Sequence, residues 1–313
     1  MRRFSGTARS IKILPLVAFS AAAVASGWTT PSTSLPAQPD SLKFAVIGDN
    51  GTGRRPQYDV ARQMALARQA FPFELVLMVG DNFYGSQKPG DLIAKFDEPY
   101  RPLLDAGVEF RAALGNHDEP VTVHYKPLGM NGQRYYTFAK ANVRFVVLDT
   151  NFVDATQLGW FDQTLKAAQE EWKICYFHHP IYGNAGRHGG NVELRVLLEP
   201  ILTRYGVQVV FAGHDHVYER LKFQKGIQHF VTGSSGQLRR GDLEPSDSTA
   251  AAFDEDQAFL LVEIDGAEMF FEAISRTGTR VDSGQLRRGP SLTWFAPGEE
   301  ARHATSHADA SHD

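Results

Sequence analysis

The sequence predicts an α/β protein with stacked sheets, and three observations predict it. Short apolar runs alternate with amphipathic stretches from residue 42 onward. Most of those runs are apolar throughout rather than alternating, as strands covered on both faces are. The last third of the folded region reads as hairpins instead of helices. No internal boundary interrupts residues 41–289, so a single domain is expected there.

The elements follow in order. "LKFAVIGD" (42–49) is a strand ending in Gly-Asp, and "PQYDVARQMALARQA" (56–70) has helical spacing with Pro56 at its start. "ELVLMVGD" (74–81) is a second strand with the same ending, followed by a charged helical stretch to about Leu104. "VEFRAALGNHD" (108–118) is a third strand, and "RYYTFAKANVRFVVLDT" (134–150) is a hairpin. "TQLGWFDQTLKAAQEE" (156–171) is an amphipathic helix, "KICYFHHP" (173–180) a strand, and "NVELRVLLEPILTRYG" (191–206) a helix stopped by Gly206. "VQVVFAGHDH" (207–216) is a further strand, and hairpins pair 217–224 with 227–232 and 258–264 with 268–274.

The termini read differently. Arg2, Arg3, Arg9 and Lys12 precede the apolar run 13–25, which is short for a bilayer span and ends in Ala23-Val24-Ala25. Residues 1–25 are therefore expected to be a cleaved signal peptide, placing the mature protein in the periplasm or outside the cell with no stable membrane partner. Residues 26–40, rich in Ser, Thr and Pro, are expected to be a flexible linker, and 290–313 a polar, disordered tail. The string "SGQLRRG" occurs at 235–241 and again at 283–289, which does not amount to a repeat architecture.

Composition removes several function classes. With 42 % hydrophobic and 22 % charged residues and a net charge of −4, the chain has no global basic field for nucleic acid. Its single cysteine, Cys175, excludes an internal disulfide and a cysteine-based zinc site.

The chemistry lies at five strand ends: Asp49, Asp81, Asn116-His117-Asp118, His178-His179 and His214-Asp215-His216. The carboxyl ends of strands in an α/β sheet line one crevice, so these blocks are expected to converge. Their donors are oxygen and imidazole nitrogen without sulfur, which suits iron, zinc or manganese. About seven donors exceed what one open site needs and fit two ions sharing a carboxylate, the arrangement used on phosphate esters.

The series "GDNG … GDNFY … GNHD … HHPIY … GHDH" resembles the calcineurin-like metallophosphoesterases, and within them the small purple acid phosphatases of tartrate-resistant type. The resemblance covers residues 42–274. It implies a four-layer αββα sandwich of two mixed sheets flanked by helices, with a dimetal site at the strand C-terminal ends. It further implies that Asp49, Tyr84 and His216 bind Fe(III), that Asp81 bridges, and that Asn116, His178 and His214 bind a second ion, Fe(II), Zn(II) or Mn(II). In that family a tyrosinate–iron band gives colour, so Tyr84 is the discriminating residue. His117 and His188 are the implied proton donors and, with Asn116, the groups that bind substrate. Asp118 is expected to orient His117, and His179 and Tyr182 to form the pocket wall. The implied reaction is hydrolysis of a small phosphate monoester by a metal-bound hydroxide. The rivals are a phosphodiesterase or nucleotidase on the same core and, from another class, an exported binding protein that keeps the fold without turnover.

Overall fold

The computed structural model of the chain describes residues 33–289 and 292–295. The segment read as a signal peptide, the first part of the expected linker and most of the expected tail lie outside these residues. Among the described residues no helix is long and apolar enough to cross a membrane.

In chain order, β1 (Leu42–Ile47), α1 (Arg55–Ala70) and β2 (Leu75–Met78) are followed by α2 (Pro89–Leu92), a π-helical stretch Ile93–Asp97, α3 (Glu98–Asp105) and β3 (Glu109–Ala112). The π stretch has a local cause. Pro99 has no N–H to return to the carbonyl of Lys95, and that carbonyl accepts a bond from Gln57 Nε2 at 2.5 Å. The hairpin of β4 (Tyr136–Lys140) and β5 (Val143–Val147) leads to α4 (Ala155–Ala167), β6 (Trp172–Tyr176), α5 (Val192–Arg204) and β7 (Val209–Ala212). The rest is strand: β8 (Tyr218–Leu221), β9 (Gln228–Thr232), β10 (Thr249–Phe253), β11 (Ala258–Asp265), β12 (Glu268–Ser275), β13 (Arg280–Arg287) and β14 (Thr293–Phe295). Both helices of the second half are capped by side chains that accept from the first turn, Asp154 from Gln157 N at 2.7 Å and Asn191 from Leu194 N at 2.9 Å. Gly206 takes a left-handed conformation just past α5, as a helix stop requires.

Two mixed sheets result, each of seven strands among the described residues, in the orders β14-β13-β12-β11-β1-β2-β3 and β10-β8-β9-β7-β6-β5-β4. β1, β2 and β3 are parallel in the first; β5, β6, β7 and β9 are parallel in the second. Side-chain alternation shows how the layers stack. In β5, β6 and β7, Phe145, Ile174, Tyr176, Val209 and Phe211 join the core shared with the first sheet. Their neighbours Val146, Cys175 and Val210 join a second core with Phe161 and Leu165 of α4 and Leu198 and Leu202 of α5. α1 and α3 pack on the first sheet through Val60, Met64 and Leu103. The architecture is the four-layer αββα sandwich, and Cys175 is a buried free thiol. Phe44 of β1 is the hub between the sheets, fully buried and edge-on to Phe145 at 5.7 Å and Phe211 at 6.2 Å.

Two expectations about the edges of the domain need correction. Residues 34–40, read as part of a free linker, are tied to the first sheet. Glu263 accepts from Ala37 N and Gln38 N, both at 2.7 Å, and Glu272 accepts from Ser34 N at 2.9 Å. Ser/Thr/Pro composition could not reveal two buried glutamates waiting on distant strands. Likewise Thr293–Phe295, placed in the tail, pairs with β13, and Trp294 lies 4.3 Å from the Arg220 guanidinium. β10, β13 and β14 had not been read as strands.

Phe44→Ala is expected to lower stability by about 3–5 kcal/mol, read as a lower urea midpoint. A loss below about 1 kcal/mol would mean that the sheets close around the gap and that Phe44 is not their hub.

Candidate metal centre

All five motif ends arrive at one place, because β1 and β2 are adjacent parallel strands and the second sheet brings β6 and β7 to the same edge. The turns leaving β1, β2 and β7 are strained. Asp49, Asp81 and His214 are non-glycine residues with φ of 52°, 52° and 70°, a region that L residues enter at some cost and that clusters at functional sites. Glycines let the turns interlock. A Cβ on Gly115 would sit 2.2 Å from Asp81 Oδ1, and one on Gly80 would sit 2.5 Å from His178 Nδ1.

The donors fall into two groups. In the first, Tyr84 OH donates to Asp49 Oδ1 at 3.0 Å and lies 3.1 Å from His216 Nε2, which is itself 3.4 Å from Asp49 Oδ1. In the second, Asn116 Oδ1 lies 2.9 Å from His178 Nε2 and 3.0 Å from His214 Nδ1, with the two ring nitrogens 3.2 Å apart. Asp81 faces both groups. Its Oδ1 is 3.4 Å from His178 Nε2, and one of its carboxylate oxygens lies within 4.8 Å of a carboxylate oxygen of Asp49 and a ring nitrogen of His216. His179 is also within reach of His178 and His214, but its Nδ1 is engaged by Thr150 Oγ1 at 3.0 Å. His178 is oriented by Val79 O at 3.0 Å from its Nδ1, which leaves Nε2 directed into the site.

Whether cations fit is answered by the charges. Asp49 and Asp81 are almost fully buried, and among the described residues their ion-pair neighbours are imidazoles alone. The imidazoles of the centre are held neutral. Burial and the neighbouring histidines push His214 down to about 2, burial and the Arg239 charge push His216 down to about 4, and burial keeps His178 well below its usual range. Burial and the Asp81 charge raise Asp49 well above the usual carboxylate range. Burial, then the two carboxylates, keep the Tyr84 phenol protonated far past its usual pKa. Neutral imidazoles, uncompensated carboxylates and a phenol that needs a strong Lewis acid to ionise are a donor set for hard or borderline cations.

Comparison with known proteins agrees with this geometry. A family profile, Calcineurin-like phosphoesterase, matches residues 42–218. The chain belongs to the calcineurin-like phosphoesterases. It is 28 % identical over 251 residues to purple acid phosphatase 17 of Arabidopsis thaliana, covering 67 % of this chain and 73 % of that one. It is 24 % identical over 300 residues to the human tartrate-resistant acid phosphatase type 5, covering 79 % and 91 %. Among solved structures it superposes on a purple acid phosphatase from yellow lupin seeds with a TM-score of 0.66 at 18 % identity, covering 82 % of this chain and 55 % of that one. It superposes on GAP50, the anchor in the inner membrane complex of Plasmodium, with a TM-score of 0.68 at 18 % identity, covering 80 % and 90 %.

Within this phosphoesterase the two further histidines reach the centre. The His117 ring lies 4.6 Å from that of Tyr84, and the His188 ring 4.3 Å from that of His214; both are exposed. Asp118 behaves differently from expectation. It does not orient the His117 ring; it accepts from Gly115 N at 2.8 Å, Phe83 N at 2.9 Å and Asn82 Nδ2 at 2.7 Å, clamping the Asp81 loop to the Asn116 loop. Burial pushes its carboxyl up to about 7. Tyr182 turns away to Glu199 of α5, while His179 does line the neighbouring cavity. Arg239 was missed: its backbone N donates to His216 O at 3.0 Å, and its guanidinium is 3.6 Å from Asp242. Nothing distinguishes its "SGQLRRG" from the second copy, so no sequence signal marked it.

Asp118→Ala is expected to reduce retained metal and turnover together, by about 10–100-fold, with the far-ultraviolet circular dichroism unchanged. Full metal content after dialysis would deny the clamp its role.

Proposed function

We propose that this chain is an exported phosphatase of purple acid phosphatase type that hydrolyses small phosphate monoesters at a two-ion centre. The observation that carries the reading is Asp81, a buried carboxylate that faces both donor groups at once. Asp49, Tyr84 and His216 would hold a ferric ion, and Asn116, His178 and His214 a second ion, Fe(II), Zn(II) or Mn(II), with Asp81 shared. When bound, such ions supply positive charge for phosphate oxygens and acidify a water to the attacking hydroxide. The names of the relatives support the phosphatase reading, and the charged, apolar and small-residue order of 1–25 supports export.

The side chains then divide the remaining work. Asn116 turns Oδ1 toward His178 and His214, which leaves its amide N–H groups for a phosphate oxygen. The His117 backbone N donates to Asp81 Oδ1 at 2.9 Å, which anchors the residue while its exposed ring stays free to protonate the departing oxygen. His188, on the opposite side beside His214, offers an N–H to a non-bridging oxygen.

Purified protein is expected to hydrolyse 4-nitrophenyl phosphate faster than bis(4-nitrophenyl) phosphate, to lose activity to a chelator and to regain it with added metal. The reverse preference would favour the phosphodiesterase reading, and no turnover of either would favour a binding protein. Asp81→Ala or Asn116→Ala should cost more than the about 100-fold typical of outer groups; full activity in either would overturn the assignment. His117→Ala should lower kcat by about 10²–10⁴-fold for an alkyl phosphate and much less for 4-nitrophenyl phosphate, whose leaving group needs little protonation. Equal losses would remove His117 from the acid role.

A further inference from the structure

Beside the centre opens a cavity of about 430 Å³ whose wall is continuous with it through Asn116 and His179. Its far side is built from the segment just after β5, Asp149 to Phe152. That segment is held rigidly. Arg134 pairs with the buried Asp149, Nε to Oδ2 at 2.8 Å, and donates to Phe152 O at 3.2 Å. Gln157 Nε2 donates to Asp149 O at 3.0 Å and to Phe152 O at 3.1 Å. Asn151 Nδ2 donates to Gly115 O at 3.1 Å, tying the segment to the loop that carries Asn116.

The side chain presented by this rigid segment is an aromatic ring in water. Phe152 is 61 % exposed while lining the cavity, so its ring is open to whatever enters there. The Arg134 guanidinium lies 5.8 Å from its centroid, which gives the ring a cationic neighbour as well as a fixed backbone. A held, exposed aromatic at the edge of a cavity that opens onto a reaction centre is a surface for a flat ring.

We propose that this cavity is the leaving-group subsite and that Phe152 is its stacking platform, so that phosphate esters of aromatic or heteroaromatic alcohols and of nucleosides bind better than esters of small alkyl alcohols. The inference rests on the phosphatase reading above and adds to it the selecting residue. The phosphoryl group would sit at Asn116, and the organic group would run over Asn151 toward Phe152. Phe152 binds and does not take part in the chemistry, so its contribution belongs to KM.

The test is steady-state kinetics on 4-nitrophenyl phosphate, a nucleoside 5′-monophosphate and glycerol phosphate, for the metal-loaded wild type, Phe152→Leu and Phe152→Trp. Leucine keeps the apolar bulk without the flat ring; tryptophan keeps the ring. Phe152→Leu should raise KM for the aryl and nucleoside esters by about three- to tenfold, the size of one lost aromatic pair, and leave glycerol phosphate unchanged. Phe152→Trp should restore or lower the two raised values. Turnover of all three esters with KM ratios indifferent to residue 152 would overturn the subsite and leave the phosphatase reading standing. A wild type that turns over none of them would overturn the phosphatase reading and the subsite with it.

Discussion

Two carboxylates that cannot neutralise each other set the terms for everything around them. Asp49 and Asp81 leave adjacent parallel strands at the same level and are buried against neutral imidazoles. Like charges in a shared dry site must bind protons or cations. The surrounding chain is arranged for cations. His178, His214 and Asn116 turn two ring nitrogens and an amide oxygen to one point, and the Tyr84 phenol points at the Asp49 carboxylate and the His216 ring.

That demand explains the backbone as well as the side chains. A carboxylate at the tip of a buried strand must turn back across the strand end, and Asp49 and Asp81 do so at φ of 52°. Such strain persists only where the neighbours over-determine it. Here they do: Gly115 leaves no room for a Cβ against Asp81, and Asp118 locks the two loops together through backbone N–H groups. The fold's contribution is a rigid edge; the GAP50 superposition shows the same αββα frame in a protein named an anchor, so function has to be argued from the donors at that edge.

Much of this was legible in the sequence because it is written in local pattern. Uniformly apolar runs with Gly-Asp, Gly-Asn-His-Asp and Gly-His-Asp-His endings marked the parallel strands and the donors together. What escaped was decided by distant partners. Residues 34–40 look like linker until Glu263 and Glu272 accept backbone N–H groups from Ser34, Ala37 and Gln38. "SGQLRRG" forms a loop beside His216 at its first occurrence and lies mostly within strand β13 at its second, because one copy meets the centre and the other pairs with β12. Asp118 looked like a partner for the ring beside it, but the N–H groups of a loop more than thirty residues away claimed its oxygens. Phe152 carried no signal, since a single phenylalanine after a strand is ordinarily core.

The shared position of Asp81 and the phenol of Tyr84 meet in one measurement, metal analysis together with a visible absorption spectrum on the purified protein and on Tyr84→Phe. Two ions per chain, one of them iron, and a visible band in the wild type that vanishes when the phenol is removed are expected. A single ion per chain, or a band that survives in Tyr84→Phe, would contradict this assignment.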